Sequence, residues 1–185
     1  MHKCGKLDLI IGPMFSGKSS ELIRIARRLK VINSPYIVIK PTIDKRYESN
    51  RIVSHDKESE ACLVTDDLVL ILDEQIENFY TIIIDEGQFL KNLKTKVLYW
   101  VEELNKHIII GGLDGDYKRN PIGEILDLLP YSDSCQKISA LCKYCNDGTP
   151  GLFSHRNTKC NDQILIGSND VYISLCRDHY IKNNN

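Results

Sequence analysis

The sequence lacks long apolar runs and a surplus of charge of either sign. Across its 185 residues, no run approaches the ~18 apolar residues that a membrane-spanning helix needs. The first residues, MHKCGKLDLIIG, contain no apolar segment followed by a small-residue cleavage site, which argues against a secretory leader. Lys and Arg number 24 against 25 Asp and Glu, so no basic excess marks a polyanion binder. We therefore expect a cytoplasmic protein with neither a membrane nor a nucleic acid as its partner.

Cysteine, in contrast, is abundant, with seven residues in the chain. In a chain of this kind they indicate reduced thiols or metal ligation rather than a disulfide framework. Four of them lie within residues 142–179, a polar segment that reads as loop. The other three, Cys4, Cys62 and Cys135, are predicted to be small buried apolar side chains.

Apolar runs alternate with amphipathic segments over the first two thirds of the chain. The predicted strands are Leu7–Ile11, Tyr36–Ile39, Thr81–Ile84 and His107–Ile110. Three helices are predicted. The first begins at Ser20, the second runs from a cap at Thr65–Asp67 to Ile76, and the third spans Leu93–Leu104. This alternation predicts an α/β fold with a mainly parallel sheet. Residues 1–141 are predicted to form that core, and residues 142–185 a separate small subdomain with a C-terminal tail.

A G-x-x-x-x-G-K-S motif lies between the first predicted strand and the first predicted helix. Its glycines let the backbone curl so that N–H groups point at phosphate oxygens, and the helix N-terminus adds positive potential. Lys18 is expected to reach the β- and γ-phosphates, and the Ser19 hydroxyl to bind Mg²⁺. The strand–loop–helix context therefore predicts a nucleotide-binding loop made of Gly12, Pro13, Met14, Phe15, Ser16, Gly17, Lys18 and Ser19.

Two acids follow the strand Thr81–Ile84. Ligand sites of α/β proteins lie at the carboxyl ends of the strands, so Asp85 is expected to bind Mg²⁺ directly or through its shell. A solvated acid at a strand end is the plainer alternative. Glu86 lies next to this metal position and is predicted to take a proton from the group that attacks the γ-phosphate.

Two short ligand pairs late in the chain predict a structural zinc site. Cys142 and Cys145 form a C-x-x-C pair, and Cys176 and His179 form a C-x-x-H pair. Each pair has the spacing to supply two ligands to the same tetrahedral ion, and Cys₃His is an accepted set of zinc ligands. Buried thiols or a redox motif are the alternatives. His155 and Cys160 lie between the pairs as rivals for the fourth position; the pairing favours His179.

These motifs together resemble the zinc-containing type of thymidine kinase, found in animals, many bacteria and large DNA viruses. The resemblance rests on GPMFSGKSSELIR, DEGQF, LDGDYKRNPIGEIL, CKYC and VYISLCRDH, which occur in this order from Leu9 to His179. A phosphate-binding loop alone would indicate no particular substrate. The combination with DEGQF and the late cysteine pairs is specific to this family.

The resemblance implies a set of residues around the phosphate donor, ATP with Mg²⁺. It places ATP on the loop at 12–19 and the DEGQ residues beside it, which adds Gly87 and Gln88 to the donor site. Glu86 matches the general base that takes the proton of the nucleoside 5′-hydroxyl. Asp44 and Arg46 match a D-x-R segment whose arginine lies near the transferred phosphate, so Lys18, Arg46 and Glu86 are the implied catalytic residues.

The resemblance also implies a thymidine site. Tyr117 matches an aromatic residue on the base, and Tyr172 a tyrosine beside the sugar and base. The backbone that hydrogen-bonds the thymine edge corresponds to Gln163, Ile164, Leu165, Ile166 and Gly167, and the surroundings of the methyl group to Met14, Leu113 and Ser154. The cysteine-rich subdomain corresponds to a lid over the nucleoside, and family members are usually tetramers.

The chain departs from the family pattern at three positions. Tyr117 and Ile122 stand where phenylalanine is usual, and His179 stands where the fourth zinc ligand is usually cysteine. The first two concern the base, so another deoxynucleoside kinase is the alternative to a thymidine kinase.

The alternative from another functional class is an ATPase whose cysteine-rich segment binds nucleic acid. Such a segment would be basic. Here four cations are matched by four acids: Lys143, Arg156, Lys159 and Arg177 against Asp147, Asp162, Asp170 and Asp178. This balance disfavours the binding module.

Overall fold

The computed structural model describes residues 4–43, 51–53, 59–165, 167 and 170–184. The expectations for Asp44, Arg46 and Ile166 lie outside the described residues. The strands are β1 (Lys6–Gly12), β2 (Tyr36–Lys40), β3 (Arg51–Val53), β4 (Ser59–Ala61), β5 (Leu63–Val64), β6 (Thr81–Ile84), β7 (His107–Leu113), β8 (Ser134–Lys137), β9 (Ala140–Leu141), β10 (Pro150–Gly151), β11 (Phe153–Arg156) and β12 (Tyr172–Leu175). The α-helices are α1 (Lys18–Val31), α2 (Asp73–Ile76), α3 (Leu93–Glu102) and α4 (Arg177–Asn184), and 3₁₀ turns span Leu68–Leu70, Gly87–Phe89 and Ile125–Tyr131.

Six of these strands form one sheet in the order β5-β2-β6-β7-β1-β8. Each pairing within the sheet is parallel. Parallel strands need crossover connections, and here the chain between β1 and β2 and between β6 and β7 forms α1 and α3. The predicted α/β class is therefore confirmed.

Both faces of the sheet are buried, which explains why its central strands read as continuous apolar runs. On one face, Leu7 and Leu9 of β1 belong to the same core as Trp100 of α3. On the other face, Ile10 of β1 packs in a core with Leu22 of α1. Because side chains alternate along a strand, consecutive apolar residues supply opposite cores.

Strand β8 and two cysteines differ from the sequence expectations. The segment Ser134–Lys137 was not predicted as a strand, because each of its four side chains is exposed and it has no apolar run. It pairs with β1 at the edge of the sheet. Cys135 lies on this strand and is exposed, and Cys4 is exposed as well, so their prediction as buried apolar residues is wrong.

The helix predicted from Thr65–Asp67 to Ile76 is broken in two. Asp67 caps a 3₁₀ turn by accepting a hydrogen bond from the Val69 amide, and the backbone becomes extended at Ile71 before the four-residue helix α2. The Leu68 amide donates instead to the carbonyl of Lys91. This pairing with a distant segment competes with a continuous helix.

The described residues between 142 and 184 are more regular than the predicted loop. β11 and β12 form an antiparallel pair that is followed by α4. Leu175 of β12 and Tyr180 of α4 share a small core with the buried Cys142. This core uses few apolar side chains, which is why periodicity did not reveal it. The division of the chain at residue 141 stays a prediction.

Candidate active site

The loop between β1 and α1 is closed by its own side chains. Gly17 has a left-handed backbone with φ of 86° and directly precedes the first residue of α1, Lys18. The Lys18 ammonium donates to the Pro13 carbonyl at 2.6 Å, and the Ser16 hydroxyl donates to the same oxygen at 2.8 Å. Lys18 is only 7 % exposed. The loop therefore places a buried cation at the start of a helix, where anions bind.

The first glycine of the loop is required by a close approach of the chain. A β-carbon at Gly12 would lie 2.2 Å from the carbonyl oxygen of Ile138, which follows β8. Only glycine fits this position without moving the backbone.

The two acids after β6 lie at the carboxyl edge of the sheet and are buried, with 2 % exposure for Asp85 and 8 % for Glu86. The Asp85 carboxylate accepts a hydrogen bond from the Glu86 amide at 3.0 Å. Glu86 has a left-handed backbone with φ of 50°, a strained conformation that clusters at functional sites.

Gln88 fixes the orientation of the Glu86 carboxylate. Its side-chain amide donates to Glu86 Oε2 at 2.7 Å, and its oxygen accepts from the Leu113 amide at 3.0 Å. Leu113 ends β7, the strand between β6 and β1, and is paired in register with Gly12. Gln88 therefore connects the predicted base to the strand that borders the phosphate loop.

Two glycines of β7 leave room for these side chains. A β-carbon at Gly111 would lie 2.7 Å from Leu22 Cδ1 and 3.4 Å from Asp85 Oδ1. A β-carbon at Gly112 would lie 2.5 Å from Gln88 Oε1. The predicted strand His107–Ile110 stops before this pair, although two glycines beside a β-branched run can indicate a close approach of other groups.

The structure brings together Cys142, Cys145, Cys176 and His179, whose ligand atoms all lie within 4.8 Å of one another. His179 Nδ1 lies 3.4, 3.4 and 3.3 Å from the sulfur atoms of Cys142, Cys145 and Cys176, respectively. The Cys145 and Cys176 sulfurs are 3.8 Å apart. Tetrahedral Zn–S bonds of about 2.3 Å would place two sulfurs about 3.8 Å apart, so the cluster fits zinc.

The two rivals for the fourth position make other contacts. His155 Nδ1 lies 3.0 Å from Asn184 Nδ2. The Cys160 thiol meets the Asp162 carboxylate at 3.5 Å. Within the described part of the chain, neither belongs to the four-residue cluster.

The surroundings within the cluster shift the pKa values of two of its thiols in opposite directions. Burial raises the pKa of the Cys142 thiol, but backbone hydrogen bonds from Cys176, Cys145 and Tyr144 and the contact with His179 outweigh it and lower this pKa to about 6. Burial and the neighbouring sulfurs of Cys142 and Cys176 raise the pKa of Cys145 to about 11. Cysteine ligands bind a metal as thiolates, so a lowered thiol pKa such as that of Cys142 suits metal binding.

The residues predicted for the base are linked to one another through hydrogen bonds. Tyr117 donates through its hydroxyl to the Asn161 carbonyl at 3.2 Å, and Tyr172 donates to the Leu165 carbonyl at 3.0 Å. The Gln163 amide donates to Asp116 at 3.2 Å and to the Pro121 carbonyl at 3.1 Å. The segment that contains Gln163 and Leu165 is thus attached to the loop after β7.

The remaining residues predicted to line the nucleoside site differ in their exposure and in their contacts. Ile164 is 44 % exposed. Gly167 lies against Val171, whose side chain a β-carbon there would meet at 2.4 Å. Met14 and Ser154 are joined directly, because the Met14 amide donates to the buried Ser154 hydroxyl at 3.0 Å. The Ser154 hydroxyl therefore binds the phosphate loop.

Two site residues were missed by the sequence analysis, Arg156 and Ser174. Arg156 was counted only in the charge balance, although its guanidinium lies 3.8 Å over the Tyr117 ring. The signal was a strand with a polar buried face: along β11, Ser154 and Arg156 are buried while Phe153 and His155 are half-buried. Ser174 is buried on β12 and is paired in register with Ser154.

A phosphate-binding loop at the carboxyl edge of a parallel sheet, with two buried acids two strands away, defines a P-loop nucleotide-binding α/β protein. A sequence model described as "Thymidine kinase" matches residues 5–180. The chain belongs to the thymidine kinase family.

Curated relatives from a virus, a bacterium and an amoeba agree with this. A Monkeypox virus protein named thymidine kinase is 40 % identical over 177 residues, 96 % of this chain and 97 % of its own. Its namesake from Porphyromonas gingivalis is 35 % identical over 180 residues, 96 % and 86 % of the two chains. Thymidine kinase 1 of Dictyostelium discoideum is 37 % identical over 191 residues, which cover 98 % of this chain and 80 % of its own.

A membrane-spanning helix would need a long apolar segment. Among the residues that the structure describes, no helix is both long and apolar enough to cross a bilayer.

Proposed function

We propose that this chain transfers the γ-phosphate of ATP to the 5′-hydroxyl of thymidine and so forms thymidine monophosphate, a DNA precursor. Membership of the thymidine kinase family over residues 5–180 supports this function. The observation that carries the chemistry is the fixed carboxylate of Glu86, held by Gln88 at the carboxyl edge of the same sheet as the phosphate loop. A base in this position has its orientation set before the substrate binds.

Phosphoryl transfer depends on positioning and charge neutralisation. The Lys18 ammonium supplies a fixed positive charge to the β- and γ-phosphates, and the amides of the loop 12–19 bind their oxygens. Ser19 and Asp85 offer the hydroxyl and carboxylate oxygens that Mg²⁺ prefers, and the ion neutralises phosphate charge when bound. Glu86 accepts the proton of the attacking 5′-hydroxyl, and Arg46 is proposed to stabilise the transferred phosphate.

The nucleoside is proposed to bind between the loop after β7 and the segment 163–167. Tyr117 packs on the base and Tyr172 lies beside the sugar, while backbone groups of 163–167 bind the base edge. The hydrogen bonds of Tyr117 to Asn161 and of Tyr172 to Leu165 support one shared site. Met14, Leu113 and Ser154 complete the surroundings of the thymine methyl group.

The cysteine cluster is proposed to bind a structural zinc ion that holds residues 142–185 together as a lid. Four donors in a closed set leave no position for a reacting group, which fits a structural rather than a catalytic ion. We further propose a cytoplasmic homotetramer, as the family resemblance implies.

Incubation with ATP, Mg²⁺ and one nucleoside at a time tests this function. Thymidine should be phosphorylated at its 5′-hydroxyl, and the product is identified by mass spectrometry and phosphorus NMR. Deoxyuridine, which lacks one methyl group, should react less well by about 1–3 kcal/mol in kcat/KM. Deoxycytidine should react still more poorly, because its amine reverses the hydrogen-bonding pattern at the base edge.

The same experiment separates the alternatives. A higher kcat/KM for another deoxynucleoside would identify a different deoxynucleoside kinase. Consumption of ATP without any nucleoside monophosphate would indicate an ATPase.

A further inference from the structure

Arg156 is a buried cation at the junction of three parts of the proposed nucleoside site. It ends β11 and is 5 % exposed. Among the described residues, no carboxylate forms an ion pair with it. A buried guanidinium without an acid must be satisfied by neutral acceptors and rings, and the arrangement of those partners reveals what it holds in place.

The first set of partners is a run of backbone carbonyls. The guanidinium donates to the carbonyl of Cys160 at 3.0 Å, to that of Asp162, and to that of Gln163 at 3.1 Å. The segment 160–165 has no regular secondary structure. Three carbonyls of this segment are therefore oriented by one side chain, through charge-assisted hydrogen bonds that are stronger than neutral ones.

The second set consists of two tyrosines. The guanidinium lies 3.8 Å from the centre of the Tyr117 ring, within cation–π range. It also donates to the Tyr172 hydroxyl, at 3.2 Å from Nε and 2.6 Å from an Nη atom. Tyr172 donates its own proton onward to the Leu165 carbonyl at 3.0 Å. The guanidinium thus fixes the orientation of the Tyr172 hydroxyl and the position of the Tyr117 ring.

We propose that Arg156 is a positioning residue for nucleoside recognition, which sets the backbone of residues 160–165 and the rings of Tyr117 and Tyr172 as one unit. This inference rests on the proposed function, because it takes the backbone of 163–167 as the reader of the base edge. Arg156 does not touch the nucleoside in this proposal. It determines which base fits by fixing the groups that do.

Lysine cannot replace arginine in this role. It keeps the charge, but it has no planar fork that can stack on Tyr117 and reach four oxygens at the same time. Arg156→Lys should therefore raise the KM for thymidine about 10- to 100-fold, as expected when several charge-assisted bonds are lost. The preference for thymidine over deoxycytidine should fall, while the KM for ATP and kcat stay within about twofold of wild type.

The matched control is Arg177→Lys. Arg177 lies in the same part of the chain and over an aromatic ring, with its guanidinium 4.8 Å from the centre of Phe153, but it is exposed. This variant should leave both KM values and the base preference unchanged. Equal effects of the two substitutions would show a general loosening of residues 142–184 and would overturn the proposal.

Hydrogen–deuterium exchange without any nucleoside gives a readout that does not depend on the substrate. In Arg156→Lys, amides in peptides covering 157–165 should exchange at least about tenfold faster, while those of β1 and β7 keep wild-type protection. Wild-type exchange in 157–165 together with an unchanged thymidine KM would overturn the proposal. A wild-type protein that phosphorylates no thymidine would instead overturn the proposed function, and the exchange result would still decide the role of Arg156.

A second variant decides the matter if Arg156→Lys does not fold. Tyr172→Phe keeps the ring and removes only the hydroxyl between Arg156 and Leu165. It should raise exchange in peptides ending at Leu165 and raise the thymidine KM by about tenfold. Unchanged exchange in this variant would show that the link through Tyr172 does not order the segment, and would overturn the proposal.

Discussion

Ser154 and Ser174 lie opposite each other on the antiparallel strands β11 and β12, and both bind the backbone of Met14 in the phosphate loop. Ser154 accepts from the Met14 amide, and Ser174 donates to the Met14 carbonyl at 2.5 Å. One residue of the phosphate loop is therefore held from both sides by a strand pair more than a hundred residues away. This contact attaches the cysteine-rich part of the chain to the proposed ATP site.

Removal of the Ser174 hydroxyl should loosen this attachment. Ser174→Ala should lower the free energy of unfolding by about 1–3 kcal/mol, because the partly buried Met14 carbonyl loses its partner. The measurement is urea unfolding at fixed zinc. Ser132→Ala is the control, since Ser132 makes a similar bond to the Leu129 carbonyl at an exposed site and should cost less than about 0.5 kcal/mol. Equal losses in both variants would contradict the structural role of Ser174.

Replacement of the loop lysine should abolish transfer. In Lys18→Ala the γ-phosphate loses its fixed counter-charge, so kcat should fall by about 10³-fold or more. Lys30→Ala removes an exposed lysine from the same helix and should retain wild-type turnover. The assay is formation of thymidine monophosphate by folded protein, with circular dichroism as the check of folding. Near-normal turnover in Lys18→Ala would show that the loop is not the donor site.

Glu86→Gln should separate chemistry from binding. The amide keeps the shape of the side chain but accepts no proton, so kcat should fall by roughly 10²–10⁴-fold with little change in the dissociation constants of ATP and thymidine. Single-turnover kinetics and calorimetry measure the two effects. Glu74→Gln, at an exposed glutamate of α2, should behave as wild type. If affinity changes and the rate does not, Glu86 is a binding residue rather than the base.

The sequence predicted the features whose signals are local. The phosphate loop lies between an apolar strand and an amphipathic helix, and Asp85 and Glu86 directly follow a β-branched run, so both could be placed on the correct edge of the sheet. Strand β8 could not be predicted, because an exposed edge strand such as Ser134–Lys137 needs no apolar face.

Contacts between distant segments were missed for a different reason. Ser174 and Met14 are 160 positions apart, and neither residue type signals the contact. Arg156 was overlooked because the charges of its segment balance. A count of charged residues does not distinguish a buried guanidinium from a solvated one. The four residues of the cysteine cluster, in contrast, were predicted as two local pairs, although the contact between Cys145 and Cys176, 31 positions apart, depends on the fold.

The stability of the sheet should depend on pH through Asp8. Burial raises the pKa of this carboxyl, but hydrogen bonds from Lys6, Ser134 and His107 outweigh it and hold the pKa below its ordinary value. Its stabilising contribution is therefore present above about pH 4, the ordinary pKa, and is lost as the pH falls through the lower folded value.

The comparison of wild type with Asp8→Asn isolates this effect. Urea unfolding should show the wild type to be more stable at pH 6, and the difference should shrink as the pH falls below about 4. Acid-sensitive groups that do not contact Asp8, including the cysteine cluster, affect both proteins alike. A difference that stays constant between pH 6 and pH 3 would contradict the role of Asp8.

The metal prediction distinguishes the four cluster residues from their rivals. Purified wild type and Cys160→Ser should each contain one zinc ion per chain, because Cys160 lies outside the cluster that the structure describes. His179→Ala and Cys142→Ser should lose most of it, since each removes one of four ligands of a closed site. Mass spectrometry under native conditions and elemental analysis measure the content. Full loss in Cys160→Ser with retention in His179→Ala would show that the fourth ligand was wrongly chosen.

Removal of the metal tests what the ion does. A strong chelator should leave three thiols and an imidazole clustered without a counter-ion, so the small core of Leu175 and Tyr180 should open. Exchange should rise across 142–180, and thymidine affinity should fall about tenfold or more. ATP should still bind, because Lys18 and the loop belong to the sheet and its helix α1. Loss of ATP and thymidine binding to the same extent would show that the ion stabilises the whole chain, and unchanged binding of both would show that it does not order the nucleoside site.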